Sequence, residues 1–475
     1  MRRARAACAA ALLSLAGCVV GPDYQAPTPR AGAGAPLTSI RPAAETPGEP
    51  PDAWWRLYSD PRLDGYIGEA FAANADLAVA QANLSGARAA LEASKAGRYP
   101  ATTVALGGTY GRDPSTDEIL EILGAKPQTI WVFDDLFDVS YELDLFGHVR
   151  RSIEAAHADA QAVAAARDGL KITVAAETAR AYAQVCALGE QIAVAHHALE
   201  VVGHEAEITA NRRAAGAGSE FEEVRADELV AQVRATLPPL EGQRRAALFE
   251  LTQLVGRTPA HAPKEALDCV TPPRLTSLIP AGDGAALLRR RPDVRQADRR
   301  LAGAVARVGV ATAELYPRIT LGGFYGGVGS DLPSLTTERG LAWGVGPKIA
   351  WSFPNQALPR ARIRQAEAGE QAALASFDST VLGALKETEQ ALSAYGAELD
   401  HHQALVEAQT RARRVYELAH DQFLAGAATQ LDLLSSEQSL VSSDAAAAAS
   451  DAALVQDQIA VFKALGGGWG PEAAR

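Results

Sequence analysis

The sequence predicts an α+β membrane protein that repeats one plan twice and contributes four strands to a β-barrel. Three observations predict it. Proline-free tracts from Gln128 to Leu237 and from Arg360 to Gly470 are dense in Ala, Glu, Gln, Arg and Leu, all good helix formers. Upstream of each rod, short segments alternate apolar and polar residues, the period of a strand. The same landmarks also recur at a nearly fixed offset, the mark of an internal repeat.

Composition sets the outer bounds. The chain has 475 residues, 48% of them hydrophobic, and a net charge of −12. Three of its basic residues, Arg2, Arg3 and Arg5, fall in a leader, and without them 42 basic side chains face 57 acidic ones, a net −15. Such a surface repels phosphate backbones and argues against nucleic acid as a partner. Past the leader no run of 18 apolar residues occurs, which rules out a transmembrane helix but not a membrane protein made of strands.

The leader reads as an export signal. Met1 to Arg5 is basic, and Ala6 to Leu15 is apolar apart from Ser14. That core is too short to span a bilayer as a helix. Leu15-Ala16-Gly17-Cys18 follows, with small residues before a thiol that can take a diacylglycerol thioether. The motif resembles the bacterial lipoprotein box, so Cys18 is the expected lipid-attachment site. The residue after it is Val19, not Asp, which in that class goes with forwarding to the outer membrane. An ordinary cleaved signal with an incidental cysteine is the alternative.

The repeat is explicit. Asp76, Leu84, Tyr99 and Pro100 return 217 residues later as Asp293, Leu301, Tyr316 and Pro317. Further on the offset is 210: Arg150, Ile153, Glu177-Thr178 and Gly216-Ala217 match Arg360, Ile363, Glu387-Thr388 and Gly426-Ala427. Each half reads helix, strand, loop, strand, very long helix, short break, helix. Leu385, Leu392, Leu399 and Val406 recur every seven residues, a period of 3.5 that means supercoiled helix packing. Val149 to Arg213 as one helix would run about 100 Å.

The strands have the opposite period. From Phe137 to Leu145 every odd position is apolar and every even one polar. Leu341, Trp343, Val345, Ile349, Trp351 and Phe353 share one face of the second-half counterpart. Phe137, Val139, Tyr141, Leu143, Trp343, Val345, Ile349 and Trp351 are expected to face lipid, with Ser140 and Gly344 on the other side. Pro347 cannot donate a ladder hydrogen bond. Four strands cannot close a barrel, because an open edge in lipid leaves backbone groups unpaired. Self-association must supply the rest. Two copies give eight strands and a filled interior; three give twelve and a lumen.

The chain resembles the TolC-like outer membrane factors, in particular their lipidated, NodT-type efflux branch. The resemblance rests on Cys18-Val19-Val20-Gly21-Pro22-Asp23-Tyr24, Trp54-Trp55-Arg56-Leu57-Tyr58, Leu143-Asp144-Leu145-Phe146-Gly147 and Leu288 to Ala297. It implies a homotrimer with a twelve-stranded barrel, a long periplasmic helical barrel and a mixed equatorial belt. It also implies a periplasmic adaptor and an inner-membrane pump of the resistance-nodulation-division type as partners, with the chain lipid-anchored in and spanning the outer membrane. Small toxic molecules then leave through the tube. Residues 1–17 are the signal, 18–61 a lipidated extended segment, 62–257 the first repeat and 258–285 a linker at the belt. Residues 286–466 are the second repeat and 467–475 a tail. Strands are expected near 101–110, 131–146, 318–326 and 341–353. The alternatives are a lipid-anchored structural or adhesive coiled-coil protein, and a duct for another pump type or for secretion.

No catalytic constellation, metal site or cofactor is expected. His196-His197 and His401-His402 are adjacent pairs that cannot converge on one metal from a helix face, and no G-x-x-x-x-G-K phosphate loop occurs. Arg289-Arg290-Arg291 reads as a solvated linker end, with Pro292 opening the next helix. Gly216 to Ser219 and Gly426 to Thr429 read as equivalent hairpin turns. Beyond them Ser219 with Glu222, and Thr429 with Asp432, have the spacing of capping boxes. In the resembling family an aspartate matching Asp432 lines the periplasmic constriction, with Glu222 its first-half equivalent, so both are gate candidates as well as caps. Cys186 lies 38 residues into the long helix, near mid-helix, where the linker holding Cys269 should cross. The expected bond is a disulfide between them, permitted in an oxidising compartment; two buried free thiols are the alternative.

Overall fold

The computed structural model describes residues 19–41, 44–46, 48–112, 118, 121–122, 124, 126, 129–275 and 277–467. The leader, Cys18 and residues 468–475 lie outside the described residues. In chain order the elements are β1 (Glu45–Thr46), α1 (Pro61–Ala73), α2 (Ala75–Ala96), β2 (Ala101–Gly111) and β3 (Ile130–Leu143). Next come α3 (His148–Ala214), α4 (Glu220–Leu254), β4 (Ile279–Pro280), α5 (Gly284–Arg290) and α6 (Pro292–Ala313). The chain ends with β5 (Arg318–Gly329), β6 (Leu341–Ala350), α7 (Ala357–Leu424) and α8 (Gln430–Ala464). Of the described residues, those within 19–27, 84–163 and 297–377 form one compact unit, and those within 28–83, 164–296 and 378–467 a second.

The first unit holds an antiparallel sheet in the order β2-β3-β5-β6. Its register sets Val104 opposite Phe137, Phe137 opposite Tyr325 and Tyr325 opposite Trp343. Directly opposed residues share a face, so the even positions of β2 and the odd positions of β3, β5 and β6 form one mainly apolar surface, interrupted by Asp135 opposite Leu106 and Gly327. Pro347 on β6 lies opposite Leu321, on an edge strand of this sheet where, among the described residues, only one side of the ladder is paired.

Three strand ends differ from the sequence expectation. β5 runs three residues longer, to Gly329. β3 stops at Leu143 because Asp144 turns to cap the next helix, accepting from the backbone N–H of Val149 (3.0 Å) and Arg150 (2.8 Å). β6 stops at Ala350: the Trp351 indole donates to the Leu315 carbonyl at 3.0 Å and its ring stacks on Phe353. Trp351 is therefore not a strand residue.

The second unit holds the main hydrophobic core. Trp54, Ile67, Tyr182, Leu251, Leu392 and Phe462 are fully buried there, drawn from the N-terminal segment and the long helices. β1 and β4 pair in parallel in the same unit. α4 runs past the end of the proline-free tract, through Pro238 and Pro239, to Leu254. Among the described residues no helix is long and apolar enough to cross a membrane.

Candidate functional site

In the first unit the two faces of the sheet differ in chemistry. One presents Val104, Leu106, Phe137, Val139, Leu321, Trp343, Val345 and Ile349, and most of these are exposed in the single chain. The other presents Asp134, Asp138, Ser140, Glu142, Thr320, Gly322, Gly346 and Lys348. The separation is incomplete, because Phe324 lies on the polar face directly opposite Gly344. A Cβ at Gly344 would sit 2.7 Å from the Phe324 ring, so this glycine leaves room for an aromatic side chain and is not open space.

The N-terminal motif is fastened to the same unit. Val20 donates its backbone N–H to the Phe146 carbonyl at 3.3 Å. The nearly buried Arg151 guanidinium donates to the Val20 and Gly21 carbonyls and to Asp23 at 2.8 Å. Gly21 adopts a left-handed φ of 88°, and a Cβ there would meet the Gly309 backbone at 2.5 Å. Tyr24 donates to Asp298 while Arg299 lies 5.3 Å above its ring, and burial first, then Asp298, pushes the phenol well above its ordinary range. The segment that follows Cys18 is thus a strap held by specific contacts.

In the second unit the two hairpin turns fall at the places expected from sequence. α3 ends at Ala214 and α4 starts at Glu220; α7 ends at Leu424 and α8 starts at Gln430. Gly216 and Gly426 take left-handed φ values of 75° and 73°, which a turn of this kind requires. Both capping boxes are formed. Glu222 accepts from the Ser219 N–H at 2.7 Å, and Asp432 accepts from the Thr429 N–H at 3.0 Å and hydroxyl at 2.6 Å. The Ser219 backbone N–H chiefly holds the Glu222 carboxyl below its usual range, and the Thr429 hydroxyl does so for Asp432. Both acids are therefore charged at neutral pH. The turns are linked through Gln430, which accepts from Arg212 at 3.2 Å and donates to Thr209.

Cys186 and Cys269 are joined by a disulfide, their Cα atoms 4.7 Å apart, in the same unit. Sequence reasoning missed the residue that reinforces this joint. Arg244 donates to the carbonyls of Val185 (3.1 Å), Leu267 (2.7 Å) and Cys269 (2.7 Å). Gly189 allows the approach, since a Cβ there would lie 2.5 Å from the Cys269 oxygen.

The arginine triplet departs from the solvated linker end expected of it. Only Arg289 is well exposed. Arg290 donates to the Gly466 carbonyl at 3.1 Å and to Asp52 at 3.0 Å. Arg291 is buried and donates to the Ala464 carbonyl (2.9 Å), Asp293 (2.7 Å) and Glu387 (2.8 Å). A guanidinium offers five donors in a fixed fork, and here they satisfy the orphan carbonyl at the end of α8 together with two acids. Pro292 does open α6, as read from sequence.

Comparison with known proteins decides the family. The family model described as outer membrane efflux protein matches residues 66–257 and again 285–467. The chain belongs to the outer membrane efflux protein family. The double match falls on the two halves of the sequence repeat, and membership makes this an outer-membrane efflux channel. The pyoverdine export outer membrane protein OpmQ of Pseudomonas putida is 30% identical over 88% of this chain and 89% of its own. Nodulation protein T of Rhizobium leguminosarum bv. viciae is 28% identical over 99% of this chain and 94% of its own. Among solved structures, the outer-membrane channel OprN superposes with a TM-score of 0.87 at 33% identity, covering 95% of this chain and 100% of that one.

Proposed function

We propose that this protein is the exit duct of a tripartite efflux system, passively conducting drugs or other small toxic molecules from a pump and adaptor to the exterior. The observation that carries the reading is the four-stranded sheet, mainly apolar on one face, polar and glycine-rich on the other, with the outer edges of β2 and β6 unpaired among the described residues. An open edge in lipid costs several kcal/mol for each unsatisfied backbone group. Three copies joined edge to edge remove every edge and give twelve strands, enough for a lumen. The apolar face then meets lipid and the acidic, small-residue face lines the passage. In this reading Cys18 carries the lipid, and the hairpin turns point into the periplasm towards an adaptor and a resistance-nodulation-division pump.

The test is electrical and genetic together. The purified protein should form stable channels in planar bilayers, and native mass spectrometry in detergent should give three copies. Deletion of its gene should sensitise the host to small toxic compounds, with complementation restoring resistance. A stable monomer that opens no channel would refute the duct.

A further inference from the structure

α8 bears acids one heptad apart, Glu437, Asp444 and Asp451, and two of the three are matched. Asp451 lies 3.2 Å from Arg274 and 3.8 Å from His402. Asp444 accepts from Gln409 at 2.8 Å and Arg413 at 3.4 Å. Glu437 is different. Its side chain is fully buried, and among the described residues neither carboxylate oxygen has a hydrogen-bond donor.

The groups around it do not supply a countercharge. α3 brings Glu205, itself 3% exposed, and α7 brings Tyr416. His420, also on α7, sets its Nδ1 3.5 Å from the Glu205 carboxylate. α4 brings Arg225 and Glu228 to a groove shared with Leu434 and Gln438, and neither is bonded to Glu437. Arg212 is occupied by Gln430 and by the Phe423 ring 4.8 Å away. On its own helix, Asp432 is engaged with Thr429. Among the described residues the one histidine here, His420, faces Glu205, and no arginine or lysine is paired with either carboxylate. Ionising both without donors is costly, and the arrangement is relieved by a bound proton.

We propose that Glu205 and Glu437 form a proton-operated latch on the hairpin ends: with a proton bound, α3, α7 and α8 stay packed, and its loss drives them apart. The position suits that role. Glu437 lies seven residues from the start of α8 and Glu205 nine from the end of α3, so both sit roughly 10–14 Å along their helices from the turns. Between them and the turns runs the buried Gln430–Thr209 bond, which separation of the helices would break.

Burial first, and then the Glu205 charge, pushes the Glu437 carboxyl up to about 7 from its ordinary 4.5. A separated, hydrated pair releases its proton near the ordinary value. Between those limits the packed state holds a proton that the separated state does not. Packing is therefore fully favoured at the acid end and loses ground as pH rises towards about 7. Each unit of difference changes the ratio of the two states about tenfold per copy.

The latch rests on the duct reading, and two readouts keep them apart. In planar bilayers, wild-type open probability should rise about tenfold or more between pH 5.5 and 8, while Glu437→Gln, which keeps the shape but cannot ionise, stays at the acid-end value throughout. In detergent, the infrared band of a protonated carboxyl should be present at pH 6 in the wild type and missing in Glu437→Gln. Glu205→Gln should move the titration of that band to lower pH. The same pH profile in wild type and Glu437→Gln, or no difference in the band, overturns the latch. Failure of the duct looks different: no conductance at any pH with the band still present.

Discussion

Trp54 stacks on Phe462 with ring centroids 4.8 Å apart and planes 13° from parallel, joining the N-terminal segment to the last helix. Both side chains are fully buried, and Trp55 and Tyr58 pack edge-on around Trp54. Trp54→Ala should therefore cost about 3–5 kcal/mol, as large-to-small core changes do. The indole N–H of Trp54 is buried without an acceptor, so Trp54→Phe removes an unsatisfied donor along with part of the ring. Thermal melting of both variants checks this: the alanine variant should melt far below the phenylalanine one, and equal losses would contradict the stacking account.

The disulfide is expected to be stabilising and structural. Its two cysteines are 83 residues apart in sequence, and a cross-link of that span typically contributes about 2–4 kcal/mol. Alkylation before and after reduction should label Cys186 and Cys269 only after it. Reduction should lower the melting temperature while Arg244 still holds the linker carbonyls, so Cys186→Ala with Arg244→Ala should lose more than either alone. Full labelling without reductant would exclude the bond.

The sheet faces predict opposite responses to charge at neighbouring positions. Val139 lies on the apolar face and Ser140 on the polar one, opposite Gly322. Val139→Lys should cost about 2–4 kcal/mol if it lies near the bilayer midplane. Ser140→Lys should fold normally and shift ion selectivity towards anions. Gly344, which the alternation alone marks as equally permissive, is a poor site for the test because Phe324 fills the space beside it. Melting temperature and reversal potential of the two lysine variants measure both effects.

Much of this architecture was legible in the sequence because it is written in periods. Alternation of two located the strands, and opposed residues such as Phe137 and Tyr325 then shared a face automatically. Landmarks repeated at a near-constant offset located the two hairpin turns, where Gly216 and Gly426 are needed for their backbone angle. What sequence could not provide was the burial of single charged side chains. Nothing local distinguishes Arg291 from Arg289, yet one bridges Glu387 and the end of α8 while the other is exposed. Glu437 likewise follows the same heptad as Asp444 and differs only in what α3 and α7 place against it. Strand ends were misjudged where a side chain left the sheet for a backbone partner, as Asp144 and Trp351 do.

Lipidation rests on the box at Cys18, and the strap after it supplies a second handle. Cys18→Ser should remove acyl mass from the mature N-terminus or leave the leader uncleaved there, as mass spectrometry would show. Arg151→Ala should keep the acylation but free the segment from Val20 to Asp23, read as faster proteolytic clipping near the N-terminus. The sheet is built without the lipid, so a variant lacking it should retain part of its efflux activity. Unchanged acylation in Cys18→Ser would remove the assignment.

The final prediction separates capping from gating at Asp432. Its carboxylate caps α8, and its lowered pKa means that this stabilisation is present above the ordinary aspartate range and lost only as pH falls below it. In three copies the exposed Asp432 side chains would form a ring of fixed negative charge, with Glu222 as the first-half counterpart on its own turn. Such a ring attracts cations and is open to block by trivalent ones. Asp432→Asn keeps an oxygen that can accept from the Thr429 N–H but removes the charge, whereas Asp432→Ala removes both. If the ring gates, both variants should weaken trivalent block by a similar factor and raise conductance, while the alanine variant melts lower than the asparagine one. If Asp432 is a cap alone, Asp432→Asn should match wild type in conductance and block and differ only in melting temperature. Glu222→Gln provides the matched control, because the glutamine can retain the bond to the Ser219 N–H. Its block by trivalent cations should weaken less than that of Asp432→Asn if Asp432 forms the tighter ring.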